Sequence, residues 1–238
     1  RVEDETRRAF PEARILRMDR DTTSRRGAHA AILNAFRSGE TDILIGTQMI
    51  AKGLDFPNVT LVGIISADTS LNLPDFRASE RTLQLISQVA GRSGRGTQPG
   101  EVVIQTFDPD HYAIRSAVDH DYPGFYRREL EERRDVRYPP FASLVNVIAK
   151  DPVSEVASRR LEGFAQALRR EPMSARRGIE IIGPAPAVLS RLRGEYRWHL
   201  VLRSTDRDSM LSLLRTVLDR TSSWRKHLTV DVDPVSML

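Results

Sequence analysis

The sequence predicts an α/β protein in two parts, a parallel-sheet lobe and a smaller α+β domain. Over residues 1–112, short apolar runs alternate with helical patterns, which is typical of a parallel sheet covered by helices on both faces. Over residues 142–238 the order becomes β-α-β-β-α-β, the split arrangement of ferredoxin-like domains. Residues 113–141 are predicted to be a helical connector that ends at the helix-breaking Pro139 and Pro140.

Four short apolar runs predict the strands of the lobe, at residues 13–18, 43–47, 59–66 and 100–107. Helices are predicted at residues 29–37 and 77–89, and the turn-rich residues 19–24 supply N-cap side chains for the first of them. Polar residues directly follow the strand at 43–47. Because α/β sheets bind ligands at the carboxyl ends of their strands, we expect a site there.

The C-terminal domain is predicted to have strands at residues 143–149, 179–183, 196–203 and 228–232 and helices at 152–170 and 207–220. The Pro-rich stretch between the two middle strands is expected to be a link longer than a tight turn. Because side chains alternate along a strand, Tyr196 and Trp198 share one face and Arg197 lies on the other. We favour a core position for Trp198.

Composition excludes several classes of protein. The chain has no cysteine, so it holds neither a disulfide nor a thiolate zinc site. Its five histidines show no close metal-ligand spacing, and it has no nucleophile motif, so we expect no metal site and no independent catalysis. No apolar run approaches the roughly 18 residues of a membrane span, and residues 1–10 lack an apolar signal core. We therefore expect a cytoplasmic protein that does not contact a membrane.

Positive charge is concentrated in the second half of the chain. Lys and Arg number 14 against 15 Asp and Glu over residues 1–112, but 22 against 17 over residues 113–238. Between Arg169 and Arg203, eight arginines accompany three glutamates, which indicates a nucleic-acid surface or, alternatively, a coding bias towards arginine. The separate run YRRELEERRDVR alternates in sign and predicts a solvated helix face.

Residues 88–96, QVAGRSGRG, place Arg92 and Arg95 three positions apart between glycines, directly after a helical run. Guanidinium groups pair well with phosphate oxygens, and glycines let the backbone approach a ligand closely. The alternative is a helix that ends in glycine caps with solvated arginines. The strand and polar loop upstream favour the polyanion-binding interpretation.

Longer stretches resemble known families. GTQMIAKGLDFPNVTLVGIISAD is similar to motif V of superfamily-two helicases, and QLISQVAGRSGR is similar to motif VI. Essentially the whole chain, including LNLPDFRASERTLQ, RRDVRYPPFASLVNV, GPAPAVLSRLRGEYRWHLVL and VDVDP, resembles the bacterial primosomal protein N′ (PriA) family of replication restart helicases. The resemblance implies that the lobe is RecA-like, the second lobe of a P-loop NTPase-type motor, and that the chain is the C-terminal portion of such a helicase.

The resemblance also implies roles for residues. Arg92 and Arg95 would act on the γ-phosphate of ATP, and Gln88 would hydrogen-bond near that phosphate or the attacking water. Gly53 and Asp55 of motif V would sense the nucleotide. Asp55 has an alternative role as a cap for the turn that follows it.

Two groups of residues are expected to bind DNA. The resemblance implies that Thr47 and Gln48 contact the phosphate backbone, although Thr47 could bond only a local backbone group. In the C-terminal domain, Arg191, Arg193 and Arg197 lie among aromatic residues. Cations combined with aromatic faces hold single strands and branch points by phosphate attraction and base stacking.

The chain contains no G-x-x-x-x-G-K-[ST] and no acidic Walker B strand. We therefore expect ATP and Mg²⁺ to be bound mainly by a first lobe outside this chain, and the chain alone to hydrolyse no ATP. The resembled family also has zinc-binding cysteines in its motor. We expect those zinc ligands to precede Arg1.

The expected function is that of the C-terminal part of an ATP-dependent DNA helicase that remodels stalled forks and initiates primosome assembly for replication restart. Expected partners are forked and single-stranded DNA, single-stranded-DNA-binding protein and other primosome proteins, for a nucleoid-associated monomer. One alternative is a non-catalytic DNA-binding scaffold that recruits replication proteins. Another is a helicase that acts on RNA or in a different pathway.

Overall fold

The computed structural model describes residues 1–19, 22–23, 27–47, 50, 58–91, 100–172, 178–220 and 226–237. The chain divides into two compact units. Unit 1 comprises Arg1–Leu71 and Glu80–Tyr122, and unit 2 comprises Asn72–Ser79 and Pro123–Leu238. Within the described residues, no helix is long and apolar enough to cross a membrane.

Unit 1 is an α/β structure with parallel strands, as the sequence predicts. Its strands are β1 (Ile15–Met18), β2 (Ile43–Gly46), β3 (Leu61–Ile64) and β4 (Glu101–Ile104). Its helices are α1 (Val2–Ala9), α2 (Ala28–Arg37), α3 (Asp68–Leu71), α4 (Ala78–Ala90, from Glu80 onward) and α5 (Tyr112–Val118). Within the described residues the strands form two parallel pairs, β1 with β2 and β3 with β4.

The first parallel pair is fixed at both ends. At its start, Asp42 accepts hydrogen bonds from the backbone N–H of Arg14 at 2.8 Å and from the Arg14 guanidinium at 2.7 and 2.9 Å. Further along, Met18 is fully buried and packs with Leu33 of α2 and with Leu44. The apolar stripe of α2 therefore covers β1 and β2, and their carboxyl ends lie side by side.

Unit 2 contains a four-stranded antiparallel sheet. Its elements are α6 (Tyr122–Asp135, from Pro123 onward), β5 (Ser143–Asp151), α7 (Ser154–Arg170), β6 (Glu180–Leu192), β7 (Glu195–Ser204), α8 (Arg207–Arg220) and β8 (Leu228–Val232). The strand order is β6-β7-β5-β8, and each neighbouring pair is antiparallel. Central β5 thus pairs with β7 on one side and with β8 on the other.

The core of unit 2 lies between one face of this sheet and helices α7 and α8. Alternate residues of β5, Val145 and Val147, are fully buried there. Phe164 of α7 and Met210 of α8 are also fully buried in this cluster. Each such side chain contributes roughly 1.5–3 kcal/mol through burial.

Helix α6 carries the charge run that the sequence predicts to be a solvated helix face. Arg128 and Glu132 form an exposed pair at 2.6 Å, in agreement with that prediction. Glu129, however, is buried and pairs with Arg133 at 2.7 Å. The prediction is wrong at this pair because Arg133 also packs over Phe76, 5.5 Å from the ring centre, so this side of α6 is covered.

Candidate nucleotide and nucleic-acid sites

Thr47 directly follows the carboxyl end of β2 and is exposed. The Thr47 carbonyl accepts a hydrogen bond from the backbone N–H of Ile50 at 3.0 Å. A Cβ atom at Gly46 would overlap the Ile50 side chain and the carbonyl oxygen of Met18, so glycine is required by this close approach. Thr47 therefore lies where the sequence predicts a ligand site, at the end of a parallel strand.

Helix α4 places Gln88 on its exposed side, in the last turn. Ile86 and Leu83 point inward and are buried, which fixes the rotation of the helix. The backbone N–H of Gly91 donates to the Ser87 carbonyl at 3.1 Å. Helical hydrogen bonding thus continues to Gly91, the residue before the arginine motif.

Several predicted site residues lie outside the described residues: Gln48, Gly53, Asp55, Arg92 and Arg95. The structure brings no pair of predicted nucleotide-site residues together within the described part of the chain. The roles predicted for Arg92, Arg95, Gly53 and Asp55 consequently stay predictions.

The segment Asn72–Ser79 belongs to unit 2. Its last two residues are the first two residues of α4. Asp75 accepts hydrogen bonds from the backbone N–H of Arg77 at 2.9 Å and from the Ser236 hydroxyl at 2.9 Å. Phe76 stacks on Tyr138 with ring centres 5.7 Å apart. Sequence reasoning included this segment in the family resemblance but predicted no role for Asp75 or Phe76.

The basic hairpin of unit 2 joins β6 to β7. Its turn is Arg193–Gly194, and both residues have positive φ, 52° and 86°, which the turn requires and glycine adopts without strain. The Arg191 guanidinium lies over the Tyr196 ring, 5.1 Å from its centre. Arg191 and Arg193 are exposed, and within the described residues Arg193 forms no hydrogen bond or ion pair.

The predicted long link between the middle strands is wrong, because β6 continues through it to Leu192. The register of β6 against β7 shifts between Ile182 and Ala185 and again between Pro186 and Arg191. Prolines cannot donate to a ladder, but β6 is an edge strand, where this deficiency is tolerated. A Pro-rich stretch therefore forms an irregular edge strand in place of a loop.

Strand β7 alternates as the sequence predicts. Trp198 packs against the core beside α7, and its indole N–H donates to the Ser154 hydroxyl at 3.1 Å. Arg197 and His199 lie on the opposite face of the sheet. Arg197 is only 8% exposed, so of the three arginines predicted to bind DNA it is the buried one.

Not every cation of the basic stretch is available to a ligand. Arg203 donates to Glu180 at 2.5 Å and to the Val136 carbonyl at 2.6 Å, and it lies over the Tyr138 ring. Arg169 donates to the Gly183 carbonyl at 2.8 Å. These two arginines hold unit 2 together, whereas Arg191 and Arg193 project from its hairpin.

The histidines show no metal-binding arrangement. Among the described residues, no group of three or more His, Asp or Glu side chains is placed to hold a metal ion. Burial lowers the pKa of His199 below its ordinary value, and the positive charge of Arg197 lowers it further. Both effects favour the neutral imidazole.

Comparisons with protein families find two matches in this chain. Residues 3–97 match the family described as the helicase conserved C-terminal domain. Residues 134–235 match the primosomal protein N C-terminal domain. The two matches follow the same order as the lobe and C-terminal domain predicted from the sequence.

Whole proteins that resemble the chain carry the name replication restart protein PriA. The protein of Bacillus subtilis is 43% identical over 100% of this chain and 30% of its own length. Those of Synechocystis and Haemophilus influenzae are 39% and 38% identical, over 96% and 98% of this chain and 27% and 32% of their own lengths. The chain thus spans about a third of the length of the curated relatives it matches.

Proposed function

We propose, since this chain belongs to the family of the replication restart protein PriA, that it is the C-terminal part of an ATP-dependent DNA helicase that remodels stalled replication forks and initiates primosome assembly. The observation that carries the proposal is similarity over essentially the whole chain, from a helicase domain to the domain specific to primosomal protein N. That combination is much more specific than helicase motifs alone.

In the proposed function, unit 1 contributes the second RecA-like lobe of the motor. ATP, held with Mg²⁺ mainly by a first lobe outside this chain, would supply the γ-phosphoryl group whose transfer to water drives movement. Arg92 and Arg95 would stabilise negative charge on that group, a role that contributes about 10³ to 10⁵ in rate for an arginine finger. The exposure of Gln88 and the helical hydrogen bond at Gly91 support this, because the helix that carries Gln88 continues to the residue before the motif.

Motif V would connect the nucleotide to DNA. Gly53 and Asp55 would respond to the nucleotide, while Thr47 and Gln48 would contact the DNA phosphate backbone. The exposed position of Thr47 at the carboxyl end of β2 supports its part in this role. Its hydroxyl would donate to a phosphate oxygen.

Unit 2 contributes a domain that we infer to be ferredoxin-like and to bind branched DNA. The strand order β6-β7-β5-β8 with two helices on one face supports that class. Arg191 and Arg193 would bind phosphates of forked or single-stranded DNA, with the Tyr196 ring holding Arg191 in place. Single-stranded-DNA-binding protein and other primosome proteins are the proposed protein partners of a monomeric, cytoplasmic, nucleoid-associated helicase.

A zinc site also belongs to the proposal, but only for the full-length protein. The chain holds no cysteine, so its own residues do not fit a thiolate zinc site. The zinc ligands would therefore lie elsewhere in the full-length protein.

Two measurements of ATP hydrolysis test the proposal. The full-length protein is expected to hydrolyse ATP faster when forked DNA is added, and the 238-residue chain alone is expected to hydrolyse none. Helicase-like ATP turnover by the chain alone would contradict the two-lobe motor. A full-length protein that binds forks but does not hydrolyse ATP would favour the non-catalytic scaffold.

A further inference from the structure

One face of the unit 2 sheet points away from helices α7 and α8 and carries many polar side chains. In the pairing of β5 with β7, Lys150 is opposite Arg197 and Ile148 is opposite His199. Trp198 and Leu200, which alternate with these residues, pack into the core on the helix side. The titratable residues of the polar face are Lys150, Glu180, Arg197, His199, Arg203 and Asp231.

Three polar atoms of this face are buried without a hydrogen-bond partner among the described residues. They are Oδ1 of Asn146, Nε of Arg197 and Nδ1 of His199. Asn146 is 2% exposed, and Arg197 is among the most buried cations that the structure describes. A buried polar group without a partner is costly to the folded state, and the cost is greater for a charged group.

The positive charge of Arg197 has no acidic partner within the described residues. The group directly across the strand pair is another cation, Lys150, and like charges in that position repel. Of the carboxylates on this face, Glu180 pairs with Arg203 and Arg137, and Asp231 is exposed opposite Asn146. Arg203, on the same strand and face, is therefore neutralised, whereas Arg197 is not.

We propose that Arg197, Lys150 and His199 form a phosphate seat, a site on this sheet face that binds one phosphate group of DNA. The inference rests on the proposed function of unit 2 as a DNA-binding domain. Arg197, which is 8% exposed, would donate from its guanidinium group, and exposed Lys150 would supply a second charge from the rim of the seat. A bound phosphate would supply the counter-charge that the fold itself lacks.

DNA fits this position better than a free phosphate ion does. On this sheet face Asn146 and Val201 are buried, whereas Lys150 and the edge residues Ile182 and Thr229 are exposed, so a long polymer can contact the seat at its Lys150 rim. It also lies on the strand that begins at the basic hairpin. Arg193 precedes Arg197 by four residues, roughly 13 Å along a strand, so one DNA backbone could contact both.

DNA binding at the phosphate seat is also expected to change the pKa of His199. Partial burial lowers the pKa of His199 below its ordinary value, and the neighbouring charge of Arg197 lowers it further. A phosphate bound to Arg197 would offset that positive charge, so the pKa of His199 would rise when DNA binds. Lys150 and Asp231 also lie on this face, and both are exposed to screening by solvent.

The test compares Arg197→Met with Arg203→Met in the 238-residue chain. Removal of an uncompensated buried charge is expected to raise the urea midpoint of Arg197→Met at low salt without phosphate, whereas Arg203→Met, which breaks an ion pair, lowers it. Arg197→Met should also weaken forked-DNA binding roughly fivefold and reduce the salt slope by about one. Lys150→Gln, on the exposed rim, should weaken binding similarly without altering the fold.

The possible results distinguish failure of the phosphate-seat proposal from failure of the proposed DNA binding by unit 2. Wild-type affinity and salt slope in both Arg197→Met and Lys150→Gln, together with weaker binding by Arg191→Ala/Arg193→Ala, would overturn the seat and leave DNA binding by unit 2 intact. If the wild-type chain bound no forked DNA at 50 mM salt, the proposed role of unit 2 and the seat would both be wrong. If inorganic phosphate alone stabilised the wild type as strongly as forked DNA, the site would be one for free phosphate.

Discussion

Asp75 accepts a hydrogen bond from the Ser236 hydroxyl at 2.9 Å, although 161 positions separate the two residues. The same carboxylate oxygen accepts from the backbone N–H of Met237 at 3.0 Å, and the other oxygen accepts from the backbone N–H of Arg77. One carboxylate therefore joins two distant parts of unit 2, the segment Asn72–Ser79 and the last described residues of the chain.

Replacement of Asp75 by alanine is expected to lower the free energy of unfolding of the 238-residue chain by about 2 kcal/mol. The reason is that several donors lose a charged acceptor at a buried position. Urea denaturation measures the change. Asp110→Ala is a matched control, because Asp110 forms an exposed ion pair at 3.4 Å that contributes little. Equal losses in the free energy of unfolding for the two variants would show that Asp75 does not stabilise the segment Asn72–Ser79.

Asp42 is expected to titrate far below an ordinary aspartate. The side-chain hydrogen bond from Arg14, together with one from the Arg14 backbone N–H, lowers the pKa of Asp42 to about 2. Because the folded pKa is lower than the unfolded value of 3.8, this pair stabilises the protein above that value, and the contribution is lost as pH falls towards 2. NMR of the Asp42 carboxyl carbon measures the midpoint, which Arg14→Gln should move upward. A wild-type midpoint near 3.8 would contradict the pairing.

The hairpin arginines are expected to bind DNA phosphates without reading sequence. Replacing both Arg191 and Arg193 by alanine should weaken forked-DNA binding and lower the slope of log affinity against log salt by about two. Fluorescence anisotropy at several salt concentrations measures both quantities. Arg170→Ala/Arg215→Ala removes two exposed arginines of helices α7 and α8 as a control. If the control lost as much affinity as the hairpin variant, general charge and not the hairpin would explain binding.

Local patterns predicted most of the regular structure. The parallel strands of unit 1 follow from short apolar runs, and the positions of Trp198 and Arg197 follow from strand alternation alone. The continuation of β6 could not be predicted in this way, because prolines read as a link unless the strand is known to lie at an edge. Whether a strand lies at an edge is a property of the whole sheet.

The candidate sites depend in the same way on contacts that no local pattern shows. Thr47 and Gln88 are exposed, and their predicted roles stay predictions. The association of Asn72–Ser79 with unit 2 and the unpaired Nε of Arg197 depend on contacts between distant parts of the chain. The composition shows how many arginines are present. Only the fold shows that Arg203 pairs with Glu180 while Arg197 has no acidic partner among the described residues.

The most direct test of the proposed motor is DNA-stimulated ATP hydrolysis by the full-length protein with Arg95→Ala, measured beside its affinity for forked DNA. The account predicts that ATP turnover is abolished, because the arginine that stabilises the γ-phosphoryl charge is lost, while DNA affinity stays within a few-fold of wild type. Arg37→Ala, an exposed arginine of α2, should leave both properties unchanged. Wild-type ATP turnover by Arg95→Ala, or an equal loss of ATP turnover and DNA affinity, would contradict the division of work between the two units.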